Sequence, residues 1–492
     1  MKKLLFIWLL YTFLLCSVIF SQEEEIEERK RIIEEERIWE LSTTEISGIS
    51  GSRSKLISDF QARTNTEIYY GGWFTYSHTF FKNADKNKNT QDTLRYIDSY
   101  DLRLWTRIER PKHNDLVYSR VKFFWNDREY IQGRYIAAAK EVYDATRLDM
   151  GYYEKKWNGL KHFRNIKLTL GRRQFRVGRG IAYSGVNDGV DLQLNHKSGF
   201  NFDISASKII RSKNDLDSSR PYPGKNWSRR YFYALEIDKK WHPKHTIDVY
   251  GLIQRDHNKE VPENRNLEYD YDSEYYGIYL KGELISNLKY WGEFIKEEGH
   301  SYATGTNANP NLQFKENIDA YAFVLGMQYF ADKLYGKPSL VVEYAEASGD
   351  TDRQSVSNTV NGNLRRTEDE CFIPFGIFPS GAASSFKFSN LHILKVGANI
   401  KPLEKIEIFK DFMFTYEYYR YKADESAGAI SDALADLVDK DIGKEHDFII
   451  SWRPLSDLKI SFKYGRFKPG NAYLLTNRDS KTYWNLSTTL DF

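Results

Sequence analysis

The stretch from Lys481 to Phe492 limits the fold more than any other. Counting back in twos from Phe492 gives Leu490, Thr488, Leu486 and Trp484, while Asp491, Thr489, Ser487, Asn485 and Tyr483 fall between them. One face is apolar and the other polar, the period-2 pattern of a strand with a different medium on each side. The same alternation recurs upstream. Tyr321, Phe323, Leu325, Met327 and Tyr329 oppose Ala320, Ala322 and Gly326, and Tyr231, Tyr233, Leu235 and Ile237 oppose Glu236 and Asp238. A third case sets Phe412, Phe414, Tyr416 and Tyr418 against Thr415 and Glu417.

Such strands suit a membrane barrel or an edge of a soluble sandwich, and the amino end favours the former. Lys2 and Lys3 precede an apolar run from Leu4 to Phe20, followed by Ser21, Gln22 and three glutamates. Residues 1–21 therefore read as a secretory signal peptide, the alternative being an uncleaved anchor helix. Residues 22–60 read as a charged periplasmic arm and 61–492 as the barrel. No later run is long and apolar enough for a spanning helix, and mean hydropathy is −0.62. Strands escape that test because alternation hides their hydrophobicity. Tyr 35 and Phe 30 supply material for two interfacial girdles.

Other classes lose ground on composition. The formal charge is +3 and the basic residues are scattered, so no nucleic-acid partner is expected. Of two cysteines, Cys16 lies in the leader, which leaves Cys371 alone and allows no internal disulfide. No His stands beside a Gly-x-Ser-x-Gly turn or in a His-Glu-x-x-His pattern, so no enzyme is expected. Asp85, Asn87 and Asn89, like Asp270, Asp272 and Glu274, approach calcium-loop spacing without its central glycine, and no metal or cofactor is predicted.

Eighteen strands are predicted, centred near Tyr70, Leu102, Val121, Met150, Leu168, Leu192, Ile204, Leu235, Val249, Ile278, Tyr290, Phe323, Val342, Val396, Phe414, Ile450, Ile460 and Leu486. Short links such as Pro111 to Asn114 and Ser286-Asn287 alternate with long polar ones such as Gly349 to Lys387 and Lys422 to Asp441. The reading is an all-β, transmembrane, antiparallel up-and-down β-barrel with long extracellular loops and short periplasmic turns. Its strict alternation has no counterpart in a stack of sandwiches. Within the longest loop, Phe372 to Gly381 either folds inward as a lid or packs on the rim. Ile430, Leu434, Leu437 and Val438 have helical spacing, which predicts a short helix within 429–439.

The run Leu170-Gly171-Arg172-Arg173-Gln174-Phe175-Arg176-Val177-Gly178, with Asp188-Gly189-Val190-Asp191-Leu192 downstream, resembles the alginate-export family of outer-membrane porins. Similar stretches follow in order: Glu343 to Asp350, Phe378-Pro379 with Asn390-Leu391, Gly443 to Asp447, and Phe467 to Gly470. Arg173 and Gln174 stand one place out from the commoner Gly-Arg-Gln, and Arg179 replaces the acidic residue often found after the second glycine. The resemblance implies an anion-selective barrel in the bacterial outer membrane that passes an acidic polysaccharide or small carboxylates. A general diffusion porin, a surface adhesin and, further off, a barrel enzyme stay open as alternatives.

Turning the polar face of each strand inward puts Arg103, Arg107, Arg120, Lys122, Arg147, Asp149, Arg173, Asp191, Glu343 and Lys463 on the substrate path. Arg172 joins them through the family motif, although parity from Ile166, Leu168 and Leu170 turns it to lipid. Guanidinium groups suit carboxylate solutes because they form bidentate hydrogen bonds. Expected partners are outer-membrane lipid, the anionic solute, and the barrel-assembly machinery acting through the strand that ends at Phe492.

Overall fold

The computed structural model describes residues 66–90, 92, 94–132, 135–137, 142–210, 229–257, 271–303, 314–356 and 367–492. The expected leader and charged arm lie outside the described residues. Nineteen strands form one antiparallel sheet. The first half comprises β1 (Glu67–Lys82), β2 (Leu94–Arg110), β3 (Asp115–Gln132), β4 (Tyr135–Ala137), β5 (Val142–Asn158), β6 (Phe163–Val177), β7 (Tyr183–His196), β8 (Phe200–Lys208), β9 (Arg230–His242) and β10 (His245–Asp256). The second comprises β11 (Asp272–Ile285), β12 (Leu288–Ala303), β13 (Phe314–Phe330), β14 (Ser339–Ala347), β15 (Leu391–Ile400), β16 (Met413–Lys422), β17 (Asp441–Leu455), β18 (Leu458–Pro469) and β19 (Lys481–Asp491).

Each strand pairs with its neighbours in sequence, and β1 pairs with β19 from Trp73↔Asp491 to Lys82↔Thr482. Gly72 and Phe492 exchange backbone hydrogen bonds of 2.7 and 2.9 Å at the end of that seam. Closure leaves no sheet edge, as hydrocarbon demands, because an unpaired backbone group there costs several kcal/mol. Both β4 and β5 pair with β3, so β4 is the outer tip of the same returning strand and the barrel has eighteen staves. Every strand centre expected from the sequence falls in its own stave.

The two faces sort as the alternation requires. Leu325 and Met327 of β13 are 55% and 44% exposed on the outer surface, while Ala320, Ala322 and Val324, of the opposite parity, are fully buried inside. Trp157, Trp241 and Tyr329 ring the outer face near the periplasmic ends, and Tyr233 and Tyr276 near the other. Rings with one apolar body and one polar edge settle at such boundaries.

The links correct two expectations. Alternation is not strict: the β6–β7 connection, 178–182, is short on the long-loop side, and 401–412 is long on the turn side. No helix forms in 429–439, which is turns and bends. Two of its amides are taken by tertiary partners instead: Ala429 N–H donates to Arg353 O at 3.1 Å and Leu437 N–H to Ala472 O at 3.0 Å.

Of the two expected placements for Phe372 to Gly381, the inward one is observed. Phe372, Ile373 and Phe388 are fully or almost fully buried among Ala320, Ala322, Val324, Ala345 and Ala347. Small residues on the inner faces of β13 and β14 leave the room these rings fill, and each buried ring contributes about 2 kcal/mol. Phe378 stacks on Phe388 at 4.4 Å, and Phe386 meets Tyr421 and Phe467 edge-on. The short link 178–182 folds in beside it. Phe375, Gly376 and Ile377 donate their N–H groups to Ala182, Ile181 and Gly180 at 2.9–3.0 Å.

Candidate functional site

The inner wall is divided by charge, and strand parity produces the division. On β2 and β3 the inward positions are Asp101, Arg103, Trp105 and Arg107, facing Tyr118, Arg120 and Lys122. Arg103 grips Asp101 with Nε and Nη2 at 2.8 and 2.9 Å and reaches Asp149 with Nη1 at 3.1 Å. Arg120 donates to the same Asp149 oxygen from Nε at 2.7 Å, and Lys122 Nζ lies 3.4 Å from Asp101. Both guanidinium groups lie over the Trp73 ring, at 5.6 and 5.2 Å from its centre.

A β-bulge puts Asp149 there. The β3–β5 ladder pairs Arg120 with Met150 but Val121 with Leu148, so Asp149 has no opposite residue and turns inward between the two arginines. The register slips again between Lys122 and Phe124, and Arg147 stands opposite Lys122 on the lumen side. Three cations, Arg103, Arg120 and Lys122, are thus grouped around two carboxylates, Asp101 and Asp149, with Arg147 across the ladder from Lys122. Arg107 pairs with Glu109, and Arg173 of β6 with Asp191 of β7. Lys463 faces the lumen from β18 beside Ile449 and Asn485.

Across the barrel the inward residues are mostly carboxylates, and the two in-folded loops bind them. Glu236 accepts from Gly178 N–H at 2.9 Å, and Glu293 accepts from Arg179 N–H at 3.2 Å and Tyr250 OH at 2.8 Å. Glu297 accepts from Ile373 N–H at 2.8 Å, Glu445 from Ala383 and Ser384 N–H at 2.6 and 2.9 Å, and Asp447 from Ala382 N–H at 2.9 Å. Gly178 is required at its place. Its φ is +52°, and a Cβ there would lie 2.2 Å from a Glu293 oxygen and 2.6 Å from the Tyr250 ring.

One expected path residue lies elsewhere, and another is engaged. Arg172 points outward, as parity required, and holds Asp188 bidentately at 2.7 and 3.0 Å with Leu148 O as a third acceptor. The motif places the arginine beside Gly171 without turning it to the lumen. Glu343 is inward but engaged, accepting from Arg179 Nη2 at 2.9 Å and Trp291 Nε1 at 2.6 Å. Asp101, Glu297 and Glu445 were absent from the expected set. Parity alone reaches all three, but their partners come from bulges and loops that carry no period.

Inside the long loop, Arg353 pairs with Asp369, both fully buried. Burial pushes the Cys371 thiol up to about 12 and, with Asp352 alongside, the Asp350 carboxyl up to about 7. Glu346, His392 and Asp424 come close enough on the outer face to hold a metal ion. Their atoms already serve each other: His392 contacts Tyr344 OH and Asp424, each at 2.9 Å. Asp85 and Asn87 cap the amides of Asn87 and Asn89 as local turns, and Asp272 and Glu274 take His300 and Arg255. Asp270 lies outside the described residues.

Two solved structures share this architecture. OccK8 (OprE) of Pseudomonas aeruginosa superposes with a TM-score of 0.55 at 10% identity over 87% of this chain and 98% of its own. OccK11 (OpdR) of the same organism gives 0.51 at 12% identity over 86% and 96%. At such identity the likeness is one of fold. No curated protein matches the sequence. The sequence model for alginate export matches residues 85–486, so the chain belongs to the alginate export family and is a β-barrel porin of the bacterial outer membrane.

Proposed function

We propose that the barrel passes hydrophilic anions, carboxylates above all, by diffusion along the wall formed by Arg103, Arg107, Arg120, Lys122, Arg147 and Arg173, with Lys463 beyond it. One observation carries the reading: the carboxylates opposite are held by loop amides and tyrosines, whereas three cations, Arg103, Arg120 and Lys122, share only two carboxylates, Asp101 and Asp149. A solute carboxylate can take one fork of Arg103 or Arg120 while Asp149 keeps the other, so no guanidinium is stripped bare as the solute moves. Contacts of that kind are strong enough to admit an anion and weak enough to release it. The family's description fits a uronate polymer or its fragments as the solute.

Reversal potentials across a planar bilayer in a salt gradient test this. A unit charge about 6 Å from a permeating ion in water is worth roughly 0.7 kcal/mol, reduced to about 0.4 by screening at 0.1 M salt. Losing one cation should then lower anion occupancy about twofold, raise cation occupancy about twofold, and shift the permeability ratio about fourfold. R103Q combined with K122Q should move it about fifteenfold towards cations. Unchanged reversal potentials in that double variant sink the proposal. Block of the wild-type current by uronates but not by neutral sugars tests the solute class.

A further inference from the structure

The outer face carries charges too, and in several places they are matched. Arg172 pairs with Asp188, Arg255 with Glu274, Lys296 with Asp319 and His300 with Asp272. The sector formed by β16, β17 and β18 differs. Buried neighbours Tyr419, Tyr421, Glu445 and Phe467 face inward, so Arg420, Lys444, Arg466 and Lys468 face out. Lys422 ends the same outer row. The ladder sets these cations side by side: Arg420 opposite Lys444, and Lys444 opposite Lys468. Like charges directly opposite destabilise a sheet. Asp441 relieves Arg420 at 2.8 Å, but among the described residues no carboxylate lies within ion-pair distance of Lys422, Lys444, Arg466 or Lys468.

Height identifies what would relieve them. All five lie at the long-loop end of an aromatic belt of Tyr416, Tyr418, Phe448, Tyr464 and Trp484: Arg466 is level with Tyr418, the row of Arg420, Lys444 and Lys468 is the next outward, and Lys422 lies beyond it. Rings of that kind mark the boundary between hydrocarbon and headgroups, so the cations sit at the depth of the outer-leaflet headgroups. Arg466 offers a planar fork and the lysines point charges, a donor set that matches phosphate oxygens.

We propose that the outward face of β16–β18 binds a phosphorylated lipid headgroup of the outer leaflet, the acyl chains lying on the aromatic belt and the phosphates bridging Lys444, Arg466 and Lys468. The site depends on the barrel's place in the membrane and not on what its lumen passes.

The test compares wild-type protein in detergent with K444Q/R466Q/K468Q and with the single variant K444Q, by native mass spectrometry during titration with bisphosphorylated lipid A. Wild-type protein should retain the lipid. The triple variant should bind at least tenfold more weakly, K444Q should fall between, and K296Q, in a matched sector, should bind as wild type. The heat-shifted electrophoretic mobility of folded barrels establishes that each variant is closed. Dephosphorylated lipid A binding as tightly as the bisphosphorylated form would overturn the phosphate assignment. Equal binding by the triple variant would overturn the site. Displacement of the lipid by millimolar inorganic phosphate would overturn the choice of a lipid over a free anion.

Discussion

Replacing Glu445 with Ala should unseat the inner loop. Its carboxylate accepts from Ala383 N–H at 2.6 Å and Ser384 N–H at 2.9 Å, and Glu445 is fully buried. Truncation leaves two donors buried without an acceptor, at 1–3 kcal/mol each, and part of that loss is recovered by water entering the gap. A net cost of about 3 kcal/mol raises the open population of the loop roughly 150-fold. Cys371 reports the opening directly. It is buried against Ser389 and its thiol is pushed up to about 12, so a maleimide reacts with it only when the segment lifts. E445A should therefore speed labelling of Cys371 by about two orders of magnitude with the barrel still closed, and C371S supplies the blank. An E445A rate within threefold of wild type would refute the view that wall carboxylates hold the loop.

Three further outcomes follow from the geometry. G178A should keep the link 178–182 from seating against Glu293 and Tyr250, seen as a larger single-channel conductance than wild type. Asp350 sets a pH dependence: its carboxyl is raised from 3.8 to about 7, so the folded loop favours the protonated form. Stability of the loop is then greatest below about pH 4, falls as pH rises towards 7 and is flat above, and D350N should remove that slope from Cys371 labelling corrected for thiolate content. Deleting Phe492 removes both backbone bonds to Gly72 at the seam and should lower the yield of heat-shifted, closed barrel in an assembly assay with the barrel-assembly machinery; full yield would remove the strand terminus from that recognition.

Strand number and facing were legible because each strand has water or packed protein on one side and lipid on the other, so period 2 is imposed along its length. Arg172 shows that this signal outranks a motif: its parity with Leu170 put it outside, and it is outside. The loops were less legible. Ile430 and Leu434 have helical spacing, yet Ala429 and Leu437 give their amides to Arg353 and Ala472, and a backbone already tied at both ends does not wind. The site was half legible. Parity found Arg103, Arg120 and Lys122, but Asp149 comes between two arginines through a bulge, which adds a residue without altering local composition. Nothing in the spacing of Glu297 or Glu445 announces that a distant loop will cap them.

That capping separates the sign of the passage from any tally of the wall's residues. Glu297, Glu445 and Asp447 put carboxyl groups on the same wall as the arginines, but the loop's amides occupy them. A relative with an identical barrel and a shorter insertion after β14 would uncover those groups and could favour cations with no substitution in any strand. Among such proteins, what is carried will follow the insertions more closely than the staves.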